Sequence, residues 1–365
     1  MARSRFHSTP RQSGHKREKL CRATAACYPE VHMPHPDPFR ALVLENDGGT
    51  IRDAIQQLPV GSLPDGDVLV SVAYSSVNYK DALAVTNRGK IARRFPMVPG
   101  IDFSGVVADS KSSRFAPGDP VVLTGWGVGE EHWGGFAQLA RVKADWLLPL
   151  PEGLTLKSAM SIGTAGLTAM FCVMALEEHG VRPDKGDVLV TGATGGVGCL
   201  AVMLLAKLGY RVAASTGKTD AHEFLKSLGA RKIVDRRELA ARTDKPLEAG
   251  RWAGAIDSVG GETLAGLLSQ MQRDGCVAAV GLAGGPELHT TVYPFILRAV
   301  SLVGVSSGSA SIDKRTTAWG RLARSLPLET LERITRTARL DDLPALCEQM
   351  MDGRTSGRAV IDVNS

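Results

Sequence analysis

The segment Val190–Ala201 reads VTGATGGVGCLA, and its glycines suggest that the chain binds a phosphate group. The segment follows an apolar run and precedes an amphipathic stretch, which is the pattern expected of a loop between a strand and a helix. A pyrophosphate can approach the backbone N–H groups of a helix N-terminus only where no side chain blocks it. Gly195 permits that approach and Gly198 permits close helix packing. The pattern, A-x-G-x-x-G with Ala193 in the first position, predicts a dinucleotide site.

The second informative segment is Ser215–Lys218, STGK, which lacks the carboxylate that grips an adenosine ribose in NAD-binding proteins. A carboxylate would repel a 2′-phosphate, whereas hydroxyls and an ammonium group bind one. The segment therefore favours NADPH over NADH. Arg236 is a second candidate cation on the adenine side. The alternative is that Lys218 is an ordinary surface lysine.

Strands and helices alternate around these segments, which predicts parallel βαβ units in a doubly wound sheet. The helical period first appears between Lys157 and Gly180. The strands and helices that follow are predicted at 188–191, 197–208, 211–215, 220–228, 232–234, 254–257 and 276–280, with an apolar run at 296–306 and a closing helix, turn and strand.

The first half of the chain has a different texture, with short runs of Val and Leu between Gly, Pro and Asp. Strands are predicted at 40–45, 67–77, 104–110 and 119–125, as in a small β-barrel-like domain. A chain of 365 residues is long enough for two cores, since single cores stop growing near roughly 250 to 300 residues. No window is expected to reach the ~20 apolar residues of a membrane span.

Charge is concentrated at the N-terminus. Residues 1–37 hold seven Lys or Arg against three acids, so most of the net charge of +5 lies there. The remainder is nearly neutral, and no nucleic-acid partner is expected. The first 37 residues are predicted to form a disordered basic tail, although a targeting peptide or a true start at Met33 would give the same composition.

Six scattered cysteines show no C-x-x-C pair (Cys21, Cys27, Cys172, Cys199, Cys276 and Cys347). Such a pattern is typical of reduced thiols in a cytoplasmic protein and not of a disulfide framework.

The order of these parts resembles the medium-chain dehydrogenase/reductase superfamily. The resemblance implies an α/β architecture in which a GroES-like β-barrel domain (38–163) precedes a Rossmann NADP-binding domain with a doubly wound parallel sheet (164–306), and residues 307–365 return to the first domain. In zinc-dependent members, a cysteine and a G-H-E motif supply metal ligands. The matching segments here are SSVNYKDAL and PGIDFSGVV, which place Asn78 and Ile101 at those positions.

Isoleucine cannot bind zinc, and no four-cysteine structural lobe is present, so no metal is expected. Within the zinc-free, quinone oxidoreductase-like branch, the segments LTGWGVGEEHWGGFAQLARVKADWLLPLP and GTAGLTAMFCVMALEEHGVRP resemble the acryloyl-coenzyme A reductases that use NADPH. The resemblance implies NADPH-dependent reduction of the C=C bond of a small α,β-unsaturated acyl-CoA. Two alternatives stay open: a quinone or enone oxidoreductase, and a non-catalytic NADPH-binding protein.

The same resemblance assigns site residues. Tyr79 is the leading candidate for a hydrogen-bond and proton donor to the developing enolate, and a contact with the nicotinamide end of NADPH is an equal alternative. Asn78 is expected to hold substrate or ribose, and Asp102 to orient other residues. The remaining cofactor contacts are expected at the pyrophosphate (Thr194, Gly195, Gly196 and Val197), the 2′-phosphate (Thr216, Gly217, Lys218 and Arg236) and the nicotinamide (Leu282, Ile296, Ser307 and Asn364).

Two further features concern substrate and assembly. The segment Asn87–Pro96 carries four cations that are candidates for binding coenzyme A phosphates (Arg88, Lys90, Arg93 and Arg94), although solvated charge is the commoner reason for such a run. Trp126 and Trp133, in a glycine-rich loop, are candidates for the wall of a substrate pocket, with ordinary burial in the core as the alternative. The run Ile296–Ser306 resembles the strand through which the superfamily pairs its Rossmann sheets, so a homodimer is expected.

Overall fold

A computed structural model describes residues 37–240 and 245–365. The predicted basic tail therefore lies, apart from Asp37, outside the described residues. The strands are, in chain order, β1 Phe39–Asp47, β2 Thr50–Leu58, β3 Val68–Ser76, β4 Asp102–Ser110, β5 Pro120–Thr124, β6 Leu139–Val142, β7 Leu148–Pro149, β8 Asp187–Val190, β9 Arg211–Thr216, β10 Lys232–Asp235, β11 Trp252–Asp257, β12 Met271–Ala279, β13 Ser301–Gly304, β14 Thr335–Arg339 and β15 Arg358–Asp362.

The α-helices are, in chain order, α1 Tyr79–Val85, α2 Leu156–Glu178, α3 Gly196–Lys207, α4 His222–Ser227, α5 Arg236–Ala240, α6 Gly261–Ser269, α7 Tyr293–Arg298, α8 Ile312–Ser325, α9 Leu328–Arg333 and α10 Leu343–Met351.

Strands β3 to β7 form a seven-stranded sheet with β14 and β15, while β1 and β2 pair with each other in a separate antiparallel sheet. On one edge β3 pairs with β4, and on the other it pairs with β15 near its end and with β6 near its start. β5 and β7 extend the sheet beyond β4, and β14 extends it beyond β15. Strand β3 is buried over nearly its whole length, which explains its near-continuous Val and Leu content. All of these pairings are antiparallel except β14–β15.

Strands β8 to β13 form the predicted parallel sheet, in the order β10-β9-β8-β11-β12-β13. Their mainly apolar sequences suit a sheet that helices cover on both faces. The chain winds outward from β8 to β10 and then returns to the other side of β8 with β11. Such a reversal leaves a crevice at the carboxyl ends of the strands, where ligands bind in open α/β sheets. The glycine-rich segment between β8 and α3 lies at this reversal.

Helix α2 corrects one sequence expectation. By length and composition, the 23 residues Leu156–Glu178 are apolar enough to cross a membrane, contrary to the expectation that no window would be. However, 89% of the most apolar window is buried inside the fold. The helix packs on α3, α8, β3 and β4, so it has few positions that face water. Its apolar character is therefore that of a core helix.

The C-terminal segment is more divided than the sequence suggested. Helix α8 packs against α2, and its Trp319 lies in the same apolar cluster as the α2 and α3 side chains. Strands β14 and β15 and helix α10 rejoin the first part of the chain, where α10 packs on α1. Helix α8 also contacts it, through the hydrogen bond from Arg315 to the carbonyl of Thr124. Four strands were not predicted. β2 and β14 are mostly polar and exposed and lack Val and Leu clusters, and β6 and β7 are only four and two residues long.

Candidate active site

The glycine-rich loop joins the end of β8 to the start of α3. Gly192 has a positive φ of 56°, and a Cβ there would overlap the Ser258 hydroxyl. A Cβ on Gly198 would overlap the carbonyl of Gly192 and lie 2.7 Å from the Cα of Ala193. These two glycines are therefore required by the fold, because they let α3 pack closely on the loop.

Gly195 has no such structural reason to be glycine. It is the N-cap of α3 with a φ of −74°, which any residue adopts. It is exposed, and a Cβ would meet only the carbonyl of Gly192, at an ordinary 3.4 Å. A glycine here leaves the free N–H groups of α3 open on the crevice side. This cradle fits a pyrophosphate, with Thr194, Gly196 and Val197 next to it in the chain.

Arg358 is a functional candidate that sequence reasoning missed. It begins β15 and is buried, and its guanidinium donates to the carbonyl of Ser161 (2.9 Å) and to the hydroxyl of Ser76 (2.8 Å). Its Nη1 atom lies 2.8 Å from where a Cβ on Gly196 would be. The charge of the Arg358 guanidinium thus adds to the partial positive charge at the N-terminus of α3. No local pattern around Arg358 marked it, since the contact joins residues more than 150 positions apart.

A cavity of about 680 Å³ lies beyond the ends of β9 and β10. Thr216, Gly217 and Arg236 line it, as expected for a 2′-phosphate site. The Arg236 guanidinium lies against Gly217, whose Cβ, if present, would be 2.6 Å from Nε. Within the part of the chain that the structure describes, Arg236 forms no ion pair or hydrogen bond. It is the cation best placed to receive an anion.

Lys218 is placed differently from the expectation. Its Nζ atom donates to the carbonyl of Thr355 (2.7 Å) and, more weakly, to the hydroxyl of Ser356 (3.5 Å). Burial lowers the pKa of this ammonium group. The side chain is absent from the residues that line the cavity. Lys218 therefore ties β9 to the turn before β15, and Arg236 takes the leading position.

Asp102 is fully buried and joins three elements. One carboxylate oxygen accepts from the backbone N–H (3.1 Å) and hydroxyl (2.8 Å) of Ser76, at the end of β3. The other accepts from the Asn78 amide (3.0 Å) and from the backbone N–H of Thr164 (2.7 Å). Helix α2 kinks at Gly163, which has a φ of 51° and no room for a side chain beside this carboxylate.

Asn78 also contacts a second buried carboxylate. The carboxylate of Asp81 accepts from the backbone N–H (2.9 Å) and side-chain amide (3.2 Å) of Asn78 and from the backbone N–H of Ile101 (2.9 Å). Burial, and then repulsion by Asp102, raises the pKa of Asp81 to about 7. The amide of Asn78 therefore bridges two carboxylates, and its N–H groups are already engaged within the protein.

Tyr79 follows Asn78 as the first residue of α1, and its side chain is 44% exposed. Among residues 37–240 and 245–365 its hydroxyl has no hydrogen-bond partner. The phenol is therefore available to a ligand, in contrast to the engaged amide of Asn78. Tyr79 therefore lies exposed at the start of α1, directly after the hydrogen-bonded pair of Asn78 and Asp102.

The residues at this position do not fit a zinc ion. Ile101 supplies no donor atom, and all four of the hydrogen bonds to Asp102 occupy the carboxylate oxygens that would otherwise face a metal. No group of three His, Cys, Asp or Glu suited to a metal occurs within the described ranges.

The four residues expected around the nicotinamide belong to four separate segments of the chain. Leu282 lines a cavity of about 450 Å³ at the ends of β12 and β13, and Ser307 follows β13 and accepts from the hydroxyl of Thr168 (2.8 Å). Ile296 lies on α7 and is 68% exposed. Asn364 lies in the turn after β15, where its amide donates to the carbonyl of Val72 (3.0 Å), so its contact with the nicotinamide stays a prediction.

The cations of the segment 87–96 divide into two kinds. Arg88 pairs with Glu348 and Asp352, and Arg93 pairs with Glu131. Lys90 and Arg94 are exposed and have no carboxylate partner in the part of the chain that the structure describes.

The two tryptophans differ as well. Trp133 donates to the carbonyl of Pro96 (2.9 Å), so it holds the basic segment in place. The ring of Trp126 instead stacks on the guanidinium of Arg315, at 4.7 Å.

An antiparallel β domain and a doubly wound parallel sheet, with a phosphate cradle between them and a free phenol beside it, define a two-domain, dinucleotide-dependent oxidoreductase. Residues 64–152 match the model of the alcohol dehydrogenase GroES-like domain, and residues 196–324 match that of the zinc-binding dehydrogenases. The chain belongs to the medium-chain dehydrogenase/reductase superfamily, as the sequence resemblance predicted.

Its similarity to particular members is high. It is 52% identical to the acrylyl-CoA reductase AcuI of Ruegeria pomeroyi over 90% of this chain and 100% of that one. The crystal structure of the yhdH oxidoreductase from Salmonella enterica in complex with NADP has a TM-score of 0.87 and 53% identity, over 89% and 99% of the two chains. The structure of Bacillus subtilis yhfP with NAD bound has a TM-score of 0.86 and 43% identity, over 90% and 100%.

The two kinds of glycine give a prediction. Gly195→Asp should keep the helix start intact, because Asp is a good N-cap, yet lower the affinity for NADPH by about 100-fold through repulsion of the phosphate. Gly198→Ala should instead destabilise the fold by roughly 1–3 kcal/mol through overpacking. Urea unfolding and a fluorescence titration with NADPH measure the two effects. Unchanged NADPH affinity in Gly195→Asp would place the pyrophosphate elsewhere.

Proposed function

We propose that the protein catalyses NADPH-dependent reduction of the C=C bond of a small α,β-unsaturated acyl-CoA, converting acryloyl-CoA to propanoyl-CoA. The observation that carries the proposal is the polar cluster of Asn78, Asp102 and Thr164, which stands where related enzymes hold zinc. A metal-free site suits reduction of a conjugated C=C bond, because the charge that develops on the thioester oxygen can be met by hydrogen-bond donors. The 52% identity to the acrylyl-CoA reductase AcuI supports this choice of substrate.

NADPH, when bound, supplies the hydride. The protein's own part begins with the open N-terminus of α3, which holds the pyrophosphate, and continues with Tyr79. Its exposed hydroxyl donates a hydrogen bond to the thioester oxygen as negative charge develops there. The same phenol then gives its proton to the α-carbon, and the resulting phenolate, which is exposed, regains a proton from water. Asn78 and Asp102 do not touch the substrate in this scheme. They fix the first turn of α1 and so the position of Tyr79.

The coenzyme A part of the substrate carries phosphate groups that cations on the protein can bind. Lys90 and Arg94 are suited to it because both are exposed and unpaired. Their segment adjoins the active site: the backbone N–H of Arg93 donates to the carbonyl of Glu130 (2.8 Å), and Glu130 pairs with Lys80, next to Tyr79. Paired Arg88 and Arg93 are less suited, since binding a phosphate would require them to leave a carboxylate.

We further propose that two chains pair through β13, which forms one edge of the parallel sheet. Exposed apolar residues cluster in the segment just before this strand (Leu282, Leu288, Val292, Tyr293, Ile296 and Leu297), and such a patch is typical of an interface. Sedimentation velocity at micromolar concentration should therefore show a dimer. Val303→Lys, on the edge strand, should shift it toward monomer, and a monomeric wild-type protein would contradict the proposal.

The proposed reaction predicts that purified protein oxidises NADPH in the presence of acryloyl-CoA, with propanoyl-CoA as the product. Acryloyl-pantetheine, which lacks the nucleotide phosphates, should be reduced with a KM at least ten-fold higher and a similar kcat. Absorbance at the nicotinamide band gives the rates, and mass spectrometry identifies the thioester product.

Tyr79→Phe provides the control for the chemistry. It should lower kcat by about 10²-fold, the usual contribution of a general acid, while the affinity for NADPH stays within a few-fold. Turnover of a benzoquinone without any reduction of acryloyl-CoA would favour a quinone oxidoreductase. Cofactor binding without turnover of either acceptor would favour a non-catalytic NADPH-binding protein.

Cofactor choice gives a separate prediction. Arg236→Ala should weaken NADPH binding by about 10- to 100-fold, the value of one charged hydrogen bond, and leave NADH binding unchanged. Arg237→Ala is the matched control, because the neighbouring guanidinium is already held by Asp235 (2.6 Å). Lys218→Ala should have a smaller effect than Arg236→Ala. If Arg236→Ala lowered the affinities for NADH and NADPH equally, Arg236 would not be a ligand of the 2′-phosphate.

A further inference from the structure

Arg315 is a buried cation with all five of its N–H groups engaged. From the first turn of α8 it donates through Nε to the carbonyl of Ala310 (3.0 Å) and through Nη1 to the carbonyl (2.6 Å) and hydroxyl (3.2 Å) of Thr124. Through Nη2 it donates to the carbonyls of Ser307 (2.6 Å) and Gly308 (2.9 Å). The side chain is only 1% exposed. One guanidinium therefore binds two separate loops.

The acceptors are all neutral, and no carboxylate pairs with this charge in the part of the chain that the structure describes. Burial lowers the pKa of Arg315 to about 10. Burying an unpaired charge is expensive, so an ordinary apolar contact would hold α8 to its neighbours at lower cost. The guanidinium group contributes a fixed geometry instead, because its five donors set the directions of several carbonyl groups at once.

The two loops contact each other, because the backbone N–H of Trp126 donates to the carbonyl of Gly308 (3.3 Å). The loop after β5 includes Trp126, flanked by Gly125 and Gly127, and all three residues have positive φ. The Nε1 atom of Trp126 is buried without a hydrogen-bond partner among the described residues, so stacking on Arg315 holds the ring. The loop after β13 carries Ser307, expected beside the nicotinamide.

We propose that Arg315 is a positioning residue that holds the Trp126 loop, on the substrate side, against the Ser307 loop, on the cofactor side. The inference rests on the proposed function, since it assigns those two sides to an acceptor and a nicotinamide. Hydride transfer requires the reacting atoms at about 3–3.5 Å, and a displacement of about 1 Å can cost 10²-fold in rate. A rigid connection between the two loops keeps that distance short.

The test compares Arg315→Lys, Arg315→Met and Arg321→Met. Lysine keeps the charge but offers three donors instead of five. Arg321 is the matched control, because it lies on the same helix and its guanidinium pairs with Glu177 (2.7 Å) away from both loops. Both Arg315 variants should lose about 10- to 100-fold in kcat, with the Kd for NADPH within about three-fold of wild type. Arg321→Met should lose stability without that loss of kcat.

The kinetic isotope effect with NADPH deuterated at the transferred position separates positioning from general loosening. It should rise in Arg315→Lys, because misalignment makes hydride transfer rate-limiting, and stay unchanged in Arg321→Met. Should Arg315→Met fail to fold, Trp126→Leu removes the stacked ring alone and should give the same rise.

Wild-type kcat and isotope effect in Arg315→Lys would overturn the proposal. Each variant is assayed with whichever acceptor the wild-type enzyme reduces, so a failure of acryloyl-CoA as substrate contradicts the proposed function and leaves this comparison intact.

Discussion

The buried carboxylate of Asp102 is the interaction on which the arrangement of the site depends. It accepts hydrogen bonds from β3, from the residue before α1 and from α2, and through Ser76 it is linked to Arg358 at the start of β15. A buried charge of this kind is tolerated only when every lone pair is satisfied. Each of these elements must therefore be positioned so that its hydrogen bond to Asp102 can form. Removing one donor would leave a desolvated carboxylate oxygen without a hydrogen-bond partner. The positions of these elements therefore depend on one another.

The same requirement explains the shape of α2. An uninterrupted helix would direct the backbone N–H of Thr164 toward a carbonyl four residues earlier, and the kink at Gly163 releases it to Asp102. The missing side chain also leaves space for the Ser76 hydroxyl and the Arg358 guanidinium. Because Arg358 reaches the first residue of α3, the carboxylate in the antiparallel domain is coupled to the phosphate cradle of the parallel sheet. The buried polar residues that hold the elements together thus form one network with the residues beside the cofactor site.

The sequence predicted the parallel sheet and the glycine loop well, because both rest on local patterns: the spacing of apolar runs and the glycines between β8 and α3. It could not reveal Arg358 or Arg315, whose partners are far away in the chain and whose surroundings carry no motif. Lys218 illustrates the same limit, because its sequence neighbours could not reveal that its ammonium group donates to the carbonyl of Thr355 on a distant turn.

The bridging amide of Asn78 shows why loss of a metal ligand need not loosen this fold. Two carboxylates share the space beneath α1, and the amide donates one N–H toward each. A thiol at this position could supply only one weak donor, so without a metal the carboxylates would be left facing each other. Protonation of Asp81, whose pKa is raised to about 7, removes part of the remaining repulsion. Hydrogen bonding thus supplies the rigidity that a metal would otherwise give, and Tyr79 is held at the edge of that network with its hydroxyl free.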